Sequence, residues 1–297
     1  MASESISHWN IIGHSKQLGL LERARQANRL AHAYIFAGPA QVGKKTIARK
    51  LAQSMLCETN NACGSCATCK TFLAGSNPDY IEITSSDAIK IESIRDLAYK
   101  MALKPYSGKH KIAVIDDSHN LTIEAANSLL KLLEEPKDHT FLILITDNPH
   151  RLLPTISSRA QKINFGQVED DVYAAWLTAN NLLETDLSRS GRPGHAISVS
   201  QDPEAKAKNI YRQTAFNKYN EAKLGDRLVL ASELAEHETS EIKNIFDYWM
   251  GYLQSSLRSN PTSETVKKIK GLMRAQKLLD QNVNTKLLLS ELMVTSA

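Results

Sequence analysis

The chain has 297 residues, 42% of them apolar, enough for two or three domains with sizeable buried cores. Charged residues (23%) far outnumber aromatics (6%), as in an ordinary soluble protein rich in helix. The net charge of +4 permits contact with DNA but does not demonstrate it, because a dedicated DNA binder gathers its Lys and Arg on one face.

Met1 is followed by a polar stretch, residues 2–7, with neither a basic n-region nor an apolar h-region. No apolar run is long enough to span a membrane, so a cytoplasmic location is expected. Five short strand-like runs follow, at 34–37, 80–83, 112–115, 141–145 and 162–165. Helical patterns separate them. Ile47, Leu51 and Met55 lie four apart with Ala48 and Ala52 beside them, and so form one helix face. Ala125, Leu129, Leu132 and Leu133 do the same before Pro136 stops the helix. Strands alternating with helices predict an α/β domain over residues 1–166, with a parallel five-stranded sheet covered on both faces.

The first strand runs into Gly38-Pro-Ala-Gln-Val-Gly43-Lys44, and a helix opens near Lys45. This is the setting of a phosphate loop, in which backbone N–H groups cradle phosphates and Lys44 reaches the terminal ones. The full motif places Ser or Thr directly after the lysine to bind Mg²⁺. Here Lys45 stands there, and Thr46 comes one residue later. One residue along a helix is a rotation of about 100°, so Thr46 would point away from a metal. A plain glycine turn is the competing reading.

All four cysteines fall in the next stretch: Cys57, Cys63, Cys66 and Cys69. Four thiolates in so short a span predict a closed, structural zinc site. Asn60, Asn61, Gly64 and Ser65 supply turns between the ligands. Buried free cysteines or a redox centre are the alternatives. The spacing is not that of the usual two-plus-two zinc ribbon, and a zinc staple does not by itself imply nucleic-acid binding.

Lys111-Ile-Ala-Val-Ile-Asp116-Asp117 is an apolar strand ending in acidic residues, which can place Asp116 near Mg²⁺. Taken alone, the two aspartates would more simply end a strand and begin a turn. The phosphate loop before them favours the nucleotide reading.

After Gly166 the strand signal vanishes. Residues 167–203 read as short helices interrupted by Gly191, Pro193 and Gly194. Residues 204–297 are helical in pattern throughout. Ile242, Ile245, Phe246, Trp249 and Leu253 form one stripe, and Leu272, Leu278, Leu279, Leu287, Leu288 and Leu292 supply others. Three domains are expected: α/β, a small helical lid and a helical C-terminal domain.

Several motifs together resemble one family. They are His32-Ala-Tyr-Ile-Phe-Ala-Gly38-Pro-x-x-Val-Gly43-Lys44, the four cysteines, Asn77-Pro78-Asp79-Tyr80, Asn127-Ser-Leu-Leu-Lys-Leu-Leu-Glu-Glu-Pro136 and Leu153-Pro-Thr-Ile-Ser-Ser158-Arg159. The family is the delta-prime branch of the bacterial DNA polymerase III clamp loaders, within the AAA+ proteins. The resemblance is dense over residues 9–165 and weak beyond about 200. It implies a machine that opens a ring-shaped sliding clamp and loads it on primer-template DNA. In it, gamma or tau subunits hydrolyse ATP, and the delta-prime subunit is a rigid stator beside them and the delta subunit. The C-terminal domain would join a helical collar.

The resemblance also assigns residues. Arg159 occupies the place of the arginine that a stator lends to a neighbour's ATP site, with Ala160 where the family has cysteine. A surface salt bridge is the ordinary alternative for such an arginine. Gly38, Gly43, Lys44, Thr46 and Asp116 would make up a degenerate nucleotide site that holds ATP or ADP, if at all, without hydrolysis. Thr146 matches the sensor 1 region and the segment 190–196 the sensor 2 region, where Gly194 stands in the place of the phosphate-sensing arginine. Lys45, Asp117 (Glu in a working site) and Gly194 are three concordant defects. A gamma/tau-type ATPase is the main alternative. A zinc-dependent nucleic-acid binder fits the modest charge least well.

Overall fold

A computed structural model describes residues 9–85, 87–106, 110–182, 191–259, 261–279, 281 and 283–295. The chain divides into two compact units, Met1–Val168 and Glu169–Ala297. The first runs α1 (Ser15–Gln26), β1 (Ala33–Ala37), α2 (Lys44–Leu56), α3 (Ala67–Leu73), β2 (Tyr80–Ile83), α4 (Ile91–Ala102), β3 (Lys111–Ile115), α5 (Ile123–Glu134), β4 (Thr140–Thr146), α6 (Pro154–Ser157) and β5 (Gln161–Asn164). All strand pairs are parallel, in the order β2-β3-β4-β1-β5. This is the five-stranded sheet expected of an AAA+ domain.

Why these runs become central strands is visible in their burial. Every residue of β1 and β3 is buried, as parallel strands covered on both faces must be. Period-two alternation then deals the side chains to two cores. Tyr34, Phe36, Ile112, Val114, Ile143 and Ile145 pack with Leu21 of α1 and Ile47, Leu51 and Met55 of α2. Ala33, Ile35, Ala113, Ile115, Leu142 and Leu144 pack on the other side with Ile94 and Leu97 of α4 and Leu129 and Leu133 of α5. Each fully buried aliphatic or aromatic side chain contributes roughly 1.5–3 kcal/mol. Because the strands are parallel, their C-terminal ends share one edge of the sheet. That edge is where open α/β sheets bind ligands. It gathers the loop after β1, the aspartates after β3 and the end of β4.

The expected strands appear, with one shift. The last begins at Gln161 and ends at Asn164, because β5 is an edge strand in which only Ile163 is buried. Phe165 lies just beyond it, its N–H donating to Ala37 O at 2.7 Å.

The second unit contains α7 (Asp170–Ala179), α8 (Pro193–Gln201), α9 (Pro203–Glu221), α10 (Leu224–Leu234), α11 (Thr239–Ser259), α12 (Ser263–Leu279) and α13 (Thr285–Thr295). The α11 stripe Ile242, Ile245, Phe246, Trp249 and Leu253 is buried as expected. It meets Phe216 and Tyr219 of α9, Leu230 and Leu234 of α10, Leu272 of α12 and Leu289 of α13. Trp249 stacks on Tyr219 at 4.9 Å, and its indole N–H donates to Arg212 O at 3.1 Å.

Two expectations need correction here. Leu287 is 71% exposed, because it falls on the outer side of α13 while Leu288, Leu289 and Leu292 face the core. Pro193 and Gly194 do not break a helix but begin one. Pro193 is at the first position of α8, where its missing N–H has no intrahelical partner to lose, and Gly194 lies in the first turn. Asp202 caps α9 by accepting from the N–H groups of Glu204 and Ala205, so α8 passes into α9 through a cap. Among the described residues no helix is long and apolar enough to cross a membrane.

Candidate functional site

The loop after β1 is held from both sides. Gly38 N–H donates to Thr146 O at 3.1 Å. Gly38 has φ +149°, and a Cβ there would lie 2.0 Å from the Phe165 carbonyl oxygen, so only glycine lets β1 leave the sheet at this point. Gly43, with φ +102°, is the N-cap of α2 and accepts from Ile47 N–H, leaving the first amides of the helix directed into the loop. His14 closes the loop from outside, its Nε2–H donating to Val42 O at 2.9 Å while the ring meets Phe165 edge-on at 5.3 Å. Burial lowers the His14 pKa and outweighs the carbonyl contact that raises it, and Lys44 lowers it further, so the ring is neutral and can carry its proton on Nε2. Nothing in the sequence around His14 marks it for this role.

Lys44 is buried, and its ammonium donates to Gly38 O and Pro39 O, each at 2.6 Å. It is folded back across its own loop. Thr46 is exposed, as the helical rotation requires. Lys45 instead turns toward the sheet edge. Its Nζ lies 3.0 Å from Glu82 Oε1 and 3.2 Å from Asp116 Oδ2, and donates to Thr84 Oγ1 at 2.9 Å. Glu82 is further held by Arg49 Nε at 3.1 Å and by the Tyr80 hydroxyl, which donates to its Oε2. Burial would lower the Lys45 pKa, but the two carboxylates more than reverse this and raise it. Burial likewise works to raise the Glu82 pKa, and Tyr80, Lys45 and Arg49 outweigh it, so that carboxyl sits below its ordinary range. Glu82 escaped notice in the sequence, although a single acid inside the apolar run Tyr-Ile-Glu-Ile was a usable signal.

Asp117 follows in a left-handed conformation, φ 48°, its N–H donating to Asp116 Oδ1 at 3.1 Å. Burial and then the neighbouring Asp116 charge raise its pKa. Thr146, fully buried at the end of β4, has its hydroxyl 3.4 Å from His119 Nδ1, and the same ring nitrogen is 3.3 Å from Asp147. The structure thus brings Gly38, Gly43, Lys44, Asp116 and Thr146 to one edge of the sheet.

The other sequence-designated residues stand apart. Arg159 follows α6, its Nη1 donating to Thr155 O at 3.1 Å and its Nη2 2.8 Å from Glu134 Oε1. The side chain is 37% exposed, and such a surface pair contributes about 0–1 kcal/mol. Arg159 is therefore held in place but remains open to a stronger anionic partner. Gly194 lies in the second unit, and Ser190 of the same segment lies outside the described residues.

The cysteines converge at the far end of α2. Cys57 is its C-cap and Cys66 is the N-cap of α3, where it accepts from Cys69 N–H. Left-handed residues Asn60, Ala62 and Gly64 turn the chain between them. The four Sγ atoms all lie within 4.8 Å of one another. Cys57 Sγ is 3.6 Å from Cys63 Sγ and 4.0 Å from Cys66 Sγ. A tetrahedron of sulfurs about 2.3 Å from a zinc ion has edges of about 3.8 Å, so the donor set fits that ion. Backbone N–H groups of Cys66 and Cys69 point at Cys63 and Cys66 Sγ, each at 3.4 Å, and support thiolate character. Contacts led by the Ser65 hydroxyl pull the Cys63 thiol down to about 5, whereas burial pushes Cys69 up to about 12. A bound divalent cation would supply the charge that keeps all four deprotonated.

A family model described as DNA polymerase III, delta subunit, matches residues 13–169, just over half of the chain. The tau subunit of DNA polymerase III from Bacillus subtilis is 36% identical over 162 residues, 54% of this chain and 29% of that protein. The delta' subunit from Pseudomonas aeruginosa is 39% identical over 135 residues, 43% of this chain and 41% of that protein. The chain thus spans less than half the length of these curated relatives. Among solved structures, a gamma-subunit-related protein of Thermotoga maritima aligns with a TM-score of 0.46 at 19% identity, covering 93% of this chain and 98% of that one.

Proposed function

This chain belongs to the DNA polymerase III delta-subunit family of clamp-loader proteins, and we propose that it works as a delta-prime-type stator that does not itself hydrolyse ATP. The observation that carries this reading is Lys45. Its ammonium pairs with Asp116 and Glu82 at the position where a working phosphate loop has a hydroxyl for Mg²⁺. A working site also needs a residue that orients the attacking water, and Asp117 is one methylene shorter than the usual glutamate. Positioning errors near an ångström cost about a hundredfold.

The stator's contribution to chemistry is then made at a neighbour's site. Phosphoryl transfer spreads negative charge over the γ-phosphate oxygens, and a guanidinium supplied in trans stabilises it. Arg159 is the residue proposed for that role. Its pairing with Glu134 is exposed and weak enough to exchange for a phosphate. The partners are gamma or tau subunits, the delta subunit, the sliding clamp and primer-template DNA within the assembly. Residues 167–203 serve as the lid and 204–297 as the collar segment. ATP or ADP, where it occupies the loop, is held without hydrolysis. The cysteine cluster binds one structural zinc ion that fastens the end of α2 to the start of α3.

The tau relatives favour a second reading, an ATP-hydrolysing gamma/tau-type subunit. Reconstitution with the other clamp-loader subunits separates the two. A stator is required for DNA-stimulated ATPase and shows no turnover alone. Robust turnover by the purified chain, abolished by Lys44→Ala, would establish the second reading.

A further inference from the structure

We propose that the Lys45 ammonium is a built-in replacement for the divalent cation of this pocket, which therefore takes a nucleoside diphosphate or triphosphate in its magnesium-free form. The inference rests on the reading of residues 38–44 as a phosphate loop and names the ligand species that loop accepts.

Three oxygens from separate positions converge on one nitrogen. Glu82 Oε1 and Thr84 Oγ1 come from β2 and the residue after it, and Asp116 Oδ2 comes from the end of β3. Oxygen sets of this kind, at the C-terminal edge of a sheet and beside a phosphate loop, suit a hard cation. Here the cation is tethered. Its carbon stem starts in the first turn of α2, one residue after Lys44, so it cannot dissociate.

Magnesium does not fit with it. Mg²⁺ requires near-octahedral oxygen ligation at about 2.0–2.1 Å, usually with one or two protein carboxylates. The Asp116 oxygen that would serve is in contact with the ammonium. A second cation beside it would meet like-charge repulsion in a partly buried site. Arg49 on the other Glu82 oxygen adds to the positive charge. A polyphosphate needs no metal here, since Lys44, Lys45 and the first amides of α2 all carry positive or partial positive charge. To reach it, Lys44 must release Gly38 O and Pro39 O, which limits the affinity.

The test is calorimetric titration of ADP into the full-length chain, once in EDTA and once in excess Mg²⁺. Wild type should bind in EDTA and bind more weakly in Mg²⁺, because the metal draws ADP into a complex the pocket rejects. Lys45→Thr frees both carboxylates and supplies a hydroxyl, and should bind about tenfold or more tightly in Mg²⁺ than in EDTA. Lys44→Ala should abolish binding in both, which ties the signal to the loop. Tighter wild-type binding in Mg²⁺, or a Lys45→Met chain that binds metal-free ADP as well as wild type does, overturns the role of Lys45 alone. No ADP binding under either condition overturns the phosphate-loop reading as well. The wild-type pair of titrations decides even if a variant fails to fold, as checked by circular dichroism.

Discussion

The two ends of α2 handle charge in opposite ways. At its N-terminus the helix presents its first turn and the positive end of its dipole to the Gly38–Gly43 loop. The cation there is a side chain, Lys45, already paired with Asp116 and Glu82. At its C-terminus the helix ends on Cys57, where the dipole disfavours a thiolate. Three further sulfurs gather there, all four lying within 4.8 Å of one another. One end holds a tethered side-chain cation in contact with two carboxylates. The other gathers four sulfurs that could hold a metal ion, and binding there would link the local fold to its ligand.

That contrast can be broken from either side. The largest effect is expected in catalysis. ATP turnover by the purified chain should lie on the order of a hundredfold or more below that of a gamma/tau-type subunit measured in parallel. Lys45→Thr alone should not restore it, because Asp117 remains. Recovery of full turnover in that variant would show that the N-terminal end of α2 lacks nothing but a hydroxyl.

Next comes the other end of the helix. Protein purified without chelator should contain one zinc per chain, and Cys69→Ser should lose it. Structural zinc sites bind with about 10 kcal/mol or more, so metal removal should unfold residues 57–69 while the sheet survives. Proteolysis before and after chelation reads this directly. Four free thiols and no metal would erase the contrast.

A smaller loss is expected at the loop itself. Gly38→Ala drives a methyl against the Phe165 carbonyl and should destabilise the first unit by more than about 2 kcal/mol in urea unfolding. The smallest effect concerns Glu82. Its folded-state pKa is lowered from 4.5, so its contribution is fully present above that value and is lost as the pH falls through the lowered one. Glu82→Gln should therefore cost about 1 kcal/mol or less at pH 7 and progressively less toward pH 3. A difference from wild type that grows on acidification would contradict the pairing with Lys45.

The sequence carried the sheet well and the site unevenly. Runs such as Ile112–Ile115 are apolar at every position, and only a strand buried on both faces needs that. The shift of β5 arose because an edge strand buries a single residue, Ile163, and so leaves little pattern. Lys45 was legible as a substitution but its partners were not. Linear spacing does not reveal that β2 and β3 are neighbours, and it is that adjacency which sets Glu82 beside Asp116. Leu287 looked like core because heptad-like leucines surround it, yet packing chose the adjacent Leu288 and Leu289. His14 has no sequence signal, since its role depends on a turn that brings it back to Val42.

The most direct measurement of the central claim is DNA- and clamp-stimulated ATPase of a reconstituted clamp loader carrying wild-type, Lys44→Ala or Arg159→Ala chain. A stator that lends its arginine predicts normal assembly in all three and near-normal ATPase with Lys44→Ala. With Arg159→Ala it predicts a fall of orders of magnitude at the neighbouring site, poorly rescued by lysine. Near-normal ATPase with Arg159→Ala, together with a collapse in Lys44→Ala, would contradict it and make this chain a working ATPase.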